Sequence, residues 1–228
     1  MRKYLQLLLL LTLTLSSSLF ALTQDEKLWL GMSRVRDLTS DGKWKYIILS
    51  ESRFINESDT DVWQTIHFEG GIGNILNDTV SFWFGYRFTE RDPMNGFNPE
   101  DRLFQQIVTK SELSNSNVFS YRIRLEEIKR REFGEVGLRL RHRFSLSHNE
   151  AVLFHLEPFV YDEIFTQLNR PPFTPNFFII ENRLSAGFNW KLKDKQRVQI
   201  GYINQYVMRR RNQSQNVMSH VIRVVYSL

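Results

Sequence analysis

Hydrophobic and polar positions alternate with a period of two along most of this chain. Val80, Phe82, Phe84, Tyr86 and Phe88 stand against Ser81, Trp83, Gly85, Arg87 and Thr89. Phe119, Tyr121, Ile123 and Leu125 interleave with Ser120, Arg122, Arg124 and Glu126; Val136, Leu138 and Leu140 do so with Arg139, Arg141 and Arg143. The period returns at Phe178, Ile180, Leu184, Ala186 and Phe188 against Glu181, Arg183, Ser185 and Gly187. It returns again at Val198, Ile200, Tyr202 and Tyr206 against Gln199, Gly201 and Gln205. Side chains alternate across a strand, so each segment reads as a strand with one apolar and one polar face. Turn-like clusters divide these segments: Thr39 to Gly42, Asn56 to Asp61, Asn74 to Asp78, Arg91 to Asp101, Ser114 to Asn117, Lys129 to Phe133, Ser147 to Glu150, Asp162 to Asn176, Leu192 to Gln196 and Arg209 to Asn216. About eleven strand segments remain, and strands spaced this evenly predict an all-β sandwich or barrel.

Three features favour an antiparallel transmembrane β-barrel of 10 to 12 strands. The polar faces mix charges with glycine and serine, as a narrow lumen requires; Glu126, Glu135, Glu157 and Glu181 are available to pair the arginines. Short connections alternate with long ones, as in barrels with short periplasmic turns and longer extracellular loops. The last segment alternates through His220, Ile222, Val224, Tyr226 and Leu228 to the final residue, and Val224, Tyr226 and Leu228 resemble the terminal signal read by the outer-membrane assembly machinery. Left open, such an edge would invite aggregation, whereas closure against the first strand removes it. The same reading places Trp44, Phe119, Phe144, Trp190 and Tyr226 at strand ends on the short-turn, periplasmic side. Single-chain bacterial barrels have even strand numbers, so either Leu28 to Leu38 does not span and ten strands close, or a twelfth strand is hidden.

The N-terminus adds a compartment. Arg2 and Lys3 precede a leucine-rich run to Leu15, then Ser16, Ser17, Ser18 and Ala21, which reads as a cleaved signal peptide over residues 1–21 followed by a barrel over 22–228. Cleavage leaves 207 residues and lowers the formal charge from +5 to +3. Basic residues are interspersed with acidic ones, so nucleic acid is not an expected partner. With no cysteine there is neither a disulfide framework nor a thiolate nucleophile.

The order Trp29-Leu30-Gly31, then Arg122-Ile123-Arg124-Leu125-Glu126 and Leu138-Arg139-Leu140-Arg141, resembles the bacterial outer-membrane family catalogued as domain of unknown function 2490. The resemblance covers nearly the whole mature chain. It implies an outer-membrane barrel and brings no activity or functional residues.

The expected site is the lumen. Arg87, Arg122, Arg124, Glu126, Arg139, Arg141, Arg143, Glu181 and Arg183 are its candidate lining, with Arg102 beside them. These charges either close into an ion-pair network that fills a structural barrel or line a small anion-selective, porin-like channel open to small anionic solutes. A lipid-modifying enzyme is the third class: Asn204 lies opposite His220 if the last hairpin pivots near Asn212. The outward neighbours of His220 are Met218 and Ile222, however, while Ser219 points inward, so no nucleophile is within reach and no catalytic residue is expected. His67, His142, His148 and His155 have no metal-ligand spacing, so neither metal nor cofactor is expected. Gly70-Gly71-Ile72-Gly73 lacks the following helix of a phosphate loop and reads as a bulge or crowded lumen wall. In the stiff Asp162 to Asn176 loop, Phe173 either points outward as a binding surface or belongs to a lid over the mouth.

Overall fold

The alternating segments fold as strands, each hydrogen-bonded to its neighbours in sequence. A computed structural model describes residues 23–57, 60–91, 98–114, 116–150, 155–175, 177–192, 196–208 and 216–228, so the proposed signal peptide lies outside the described residues. The strands are β1 (Thr23–Asp37), β2 (Trp44–Glu57), β3 (Thr60–Ile75), β4 (Val80–Arg91), β5 (Asn98–Glu112), β6 (Asn117–Arg130), β7 (Val136–His148), β8 (Leu156–Gln167), β9 (Ile179–Lys191), β10 (Arg197–Val207) and β11 (Val217–Ser227). They form one closed barrel in sequence order.

Closure resolves the count differently from the even-number expectation. Ten of the eleven pairings are antiparallel, but β1 meets β11 in parallel, from Thr23 opposite Val217 to Ser33 opposite Ser227. An odd number of up-and-down strands brings the first and last to the seam pointing the same way, so eleven can close only in parallel. The seam is fixed at its end by side chains and backbone together. Ser33 and Ser227 share a hydroxyl hydrogen bond of 2.7 Å, Leu228 N–H donates to the Ser33 carbonyl at 2.9 Å, and Arg36 donates to the Leu228 carbonyl at 2.8 Å.

The barrel has two unlike rims. At the rim reached by the C-terminus, leucines open four of the turns: Leu38, Leu76, Leu113 and Leu192 each donate a backbone N–H across the turn, to Trp44, Val80, Asn117 and Gln196 respectively. All four side chains are exposed. Trp44, Phe119, Trp190 and Tyr226 stand within two residues of strand ends on this same rim, while Phe144 lies four residues inside the end of β7. At the opposite rim, residues 58–59, 92–97 and 209–215 lie outside the described residues, and with them most of two expected long connections.

The wall is apolar outside and polar inside. Ile48, Phe68, Ile72, Phe84 and Ile222 are between 49 % and 57 % exposed, whereas Glu51, Glu69, Arg87, Arg124, Glu126 and Arg141 are all at or below 8 %.

Two local irregularities correct the sequence reading. β8 runs on to Gln167, so Asp162 belongs to a strand rather than to the following loop; Asn182 on β9 donates to its carboxylate at 2.7 Å and replaces the turn it would otherwise favour. The β8–β9 register shifts between Phe165 and Thr166, and the extra residue turns Ile180 from the expected outward face to a buried position at 7 % exposure.

Glycines make room for aromatic rings inside. A Cβ on Gly85 would lie 2.3 Å from the Phe104 ring and 2.4 Å from the Gly70 carbonyl, while one on Gly73 would meet the Trp83 indole. Gly71 and Gly73 thus belong to a crowded interior wall, and Gly70, facing the other way, has open space. Gly85→Ala should therefore destabilise the barrel by about 1–3 kcal/mol, with Gly70→Ala near neutral, measured as urea midpoints of the refolded protein. Equal midpoints for the two variants would contradict this packing.

Candidate functional site

Inward-facing residues of neighbouring strands meet in register, and on β6 and β7 that brings like charges together. Arg122 pairs with Arg143 and Arg124 with Arg141; Arg87 on β4 likewise opposes Arg102 on β5. Opposed like charges destabilise a sheet unless counter-charge is supplied. The counter-charge comes from single glutamates, some on neighbouring strands, such as Glu163 and Glu69, and some on the same strands, such as Glu126 and Glu100.

Glu126 is the central hub. It is 0 % exposed and accepts from Arg139 at 2.5 and 2.8 Å and from Arg141 at 2.8 Å, with Arg102 at 3.5 Å and Arg124 at 3.8 Å. Glu163, also at 0 %, takes Arg141 at 2.9 Å, Arg143 at 3.0 Å and Arg122. Glu69 holds Arg124 by two bonds of 3.0 Å and Arg87 through both its Nε, at 2.7 Å, and its Nη2. Glu100 gathers Arg91 at 2.6 Å, Arg130 at 3.0 Å and Arg102. Near the seam, Glu51 receives Arg53 at 2.9 Å, Arg223 at 2.8 Å and the His67 ring at 3.0 Å. Glu181 accepts from Arg183 at 2.5 Å and Gln205 at 2.6 Å.

Charge and aromatic faces then divide the lumen. The Arg53 guanidinium lies 3.8 Å from the Trp29 ring and that of Arg183 4.9 Å from it, so the indole is held against cations from both β2 and β9. Arg139, Arg141 and Arg183 all lie over Phe165, at 5.2, 4.6 and 4.6 Å. Such contacts are stronger out of water. Two cavities of about 300 and 390 Å³ flank this waist, and Trp29, Arg53, Arg87, Arg141 and Arg183 line both.

Arg87, Arg102, Arg122, Arg124, Glu126, Arg139, Arg141, Arg143, Glu181 and Arg183 all take part in ion pairs on the inner face. Glu135, expected as a partner, instead lies exposed in the β6–β7 turn. Glu157 serves the rim, paired with Lys191. Four acids were not foreseen: Glu51, Glu69, Glu100 and Glu163. Each sits on an inward position of its own strand, and strand parity was the signal available for them.

The β8–β9 connection turns inward. Phe173 is 5 % exposed, 5.3 Å from the Phe133 ring and 4.7 Å from the Arg130 guanidinium, over the space left by Gly137. The outward-presenting alternative is thereby overturned, because a ring this apolar fits better against the mouth's own side chains than in solvent.

On the outer wall, Asn204 does oppose His220, and Ser219 is inward and 0 % exposed. The hydrogen-bond partner of His220 is the Tyr202 hydroxyl at 2.5 Å, a pairing repeated by Tyr121 and His142 at 2.8 Å. No group of three or more potential metal ligands occurs among the described residues.

Replacing a hub should leave several cations uncompensated. Glu126→Gln is expected to cost about 3–5 kcal/mol, and Glu135→Gln less than about 0.5 kcal/mol, in urea unfolding of the refolded barrel. A Glu126→Gln variant as stable as the parent would show that the hub is not required.

A family model described as Protein of unknown function (DUF2490) matches residues 26–216. No curated protein and no solved structure matches the chain.

Proposed function

The chain belongs to the family described as Protein of unknown function (DUF2490), and we propose that it is an integral barrel of the bacterial outer membrane, with a lumen closed by its own charge network. The observation that carries this reading is the inverted wall, with exposed aliphatic and aromatic side chains outside and the buried carboxylates and guanidiniums inside. Lipid is the solvent such a wall suits, and a closed barrel satisfies every strand's backbone hydrogen bonds without an edge. The leader of residues 1–21 supports export, and Val224, Tyr226 and Leu228 support handling by the assembly machinery. The aromatic side chains at the C-terminal rim then mark the periplasmic interface.

Closure rests on the waist. Arg53, Trp29 and Arg183 reach toward one another from separate strands, and the hub glutamates neutralise the cations behind them. A second reading, an anion-selective channel, is favoured by the ratio of charges: Glu100 and Glu163 each face three arginines. A fixed positive surplus lowers the barrier for anions.

The two readings separate in a planar bilayer. The refolded chain should be electrically silent, and Trp29→Ala should open a path; steady anion-selective steps from the unaltered protein would favour the channel. Membrane residence is tested by heat-dependent gel migration of membrane fractions, where a soluble chain without a mobility shift would defeat the proposal. Orientation can be read with single cysteines, since the chain has none of its own. An impermeant maleimide should label Glu132→Cys on intact cells and reach Asn77→Cys only after the envelope is opened.

A further inference from the structure

Glu163 is 0 % exposed and is shared by Arg122, Arg141 and Arg143. Arg141 also serves Glu126, and Arg122 and Arg143 are direct cross-strand partners, so two positive groups stand side by side with one carboxylate between them. The Nε atoms of Arg122, Arg141 and Arg143 are all buried without a hydrogen-bond partner. Each such donor costs about 1–3 kcal/mol if nothing satisfies it. Three guanidiniums on one carboxylate, with these donors unfilled, mark a place short of counter-charge and of acceptors.

That place borders the cavity of about 300 Å³ on the C-terminal side of the waist. The acids lining this cavity are Glu51 and Glu69, and both are already engaged by arginines. Gln106, Asn189 and Gln199 add neutral hydrogen-bonding groups to its wall, and the Tyr161 ring lies 4.4 Å from the Arg143 guanidinium. The volume corresponds to roughly ten waters, enough for a small polyatomic ion and a short substituent.

We propose that this cavity is a binding site for a phosphate group, free or as a small phosphomonoester, held at Arg122 and Arg143. A phosphate carries between one and two negative charges near neutrality and accepts through several oxygens. Adjacent guanidiniums suit it better than they suit a singly charged carboxylate. The site depends on the charged interior alone, and holds whether or not the waist conducts or the wall faces lipid.

The test uses the mature chain refolded in neutral detergent. Thermal midpoints are followed against inorganic phosphate and, separately, glycerol phosphate, with chloride holding ionic strength constant, and binding is confirmed by calorimetry. A saturable rise in midpoint is expected, with affinity about ten-fold weaker in Arg143→Gln. Arg34→Gln, on an exposed position of β1, should behave as the parent. Response to phosphate alone identifies the free ion, and response to glycerol phosphate alone an esterified source; either supports the site. Should Arg143→Gln fail to refold, Arg122→Gln takes its place. No rise for the unaltered protein, a rise that chloride reproduces, or equal affinities in parent and variant would overturn the proposal.

Discussion

Carboxylates at 0–4 % exposure inside a closed wall must be compensated where they stand, and the rest of this molecule is arranged around that requirement. A single buried ion costs several kcal/mol to desolvate and regains it only through close partners with good geometry. Glu126 has such partners on β5, β6 and β7 at once. Those bonds tie neighbouring strands to one another, and through Arg141 they reach Glu163 on β8 as well. The barrel's interior is thereby a framework rather than an apolar core.

The wall and its contents solve separate problems. Outside, ordinary strand-forming residues present an apolar surface. Inside, one apolar cluster sits beside the seam, where Trp29, Ile203 and Val221 pack at 2 %, 1 % and 0 % exposure, and single rings such as Phe104 and Phe165 are buried farther round the wall. Arginines on neighbouring strands place their guanidiniums over aromatic rings at Trp29, Phe165 and Tyr161. Guanidinium suits both tasks, since its edge pairs with carboxylate and its face stacks on a ring.

Much of this was legible in the sequence, because the period of two assigns each residue to a face without knowledge of its neighbours. That is why Arg122, Arg124, Arg139 and Arg141 could be placed inside from their spacing alone. Pairing was less accessible. Glu51, Glu69, Glu100 and Glu163 lie on four different strands, and which arginine each meets depends on register and on curvature across the lumen. Ile180 was misplaced because a bulge adds one residue and reverses parity. Phe173 was ambiguous because a proline-rich loop declares its stiffness and not its direction. The parallel seam was invisible for a similar reason: it is decided by the number of strands that close, not by any pattern within β1 or β11.

That seam also constrains how the chain could be rearranged. In an even-stranded barrel the first strand begins and the last strand ends at one rim, so a few residues can join them and new termini can be opened elsewhere. Here β1 begins at one rim and β11 ends at the other. A linker joining them would have to run back alongside the wall from one rim to the other, past a strand about 36 Å long for the 11 residues of β11 at roughly 3.3 Å each. Circular permutation is therefore not a small edit of this fold, and loop grafting at a single rim is the gentler route to altering it.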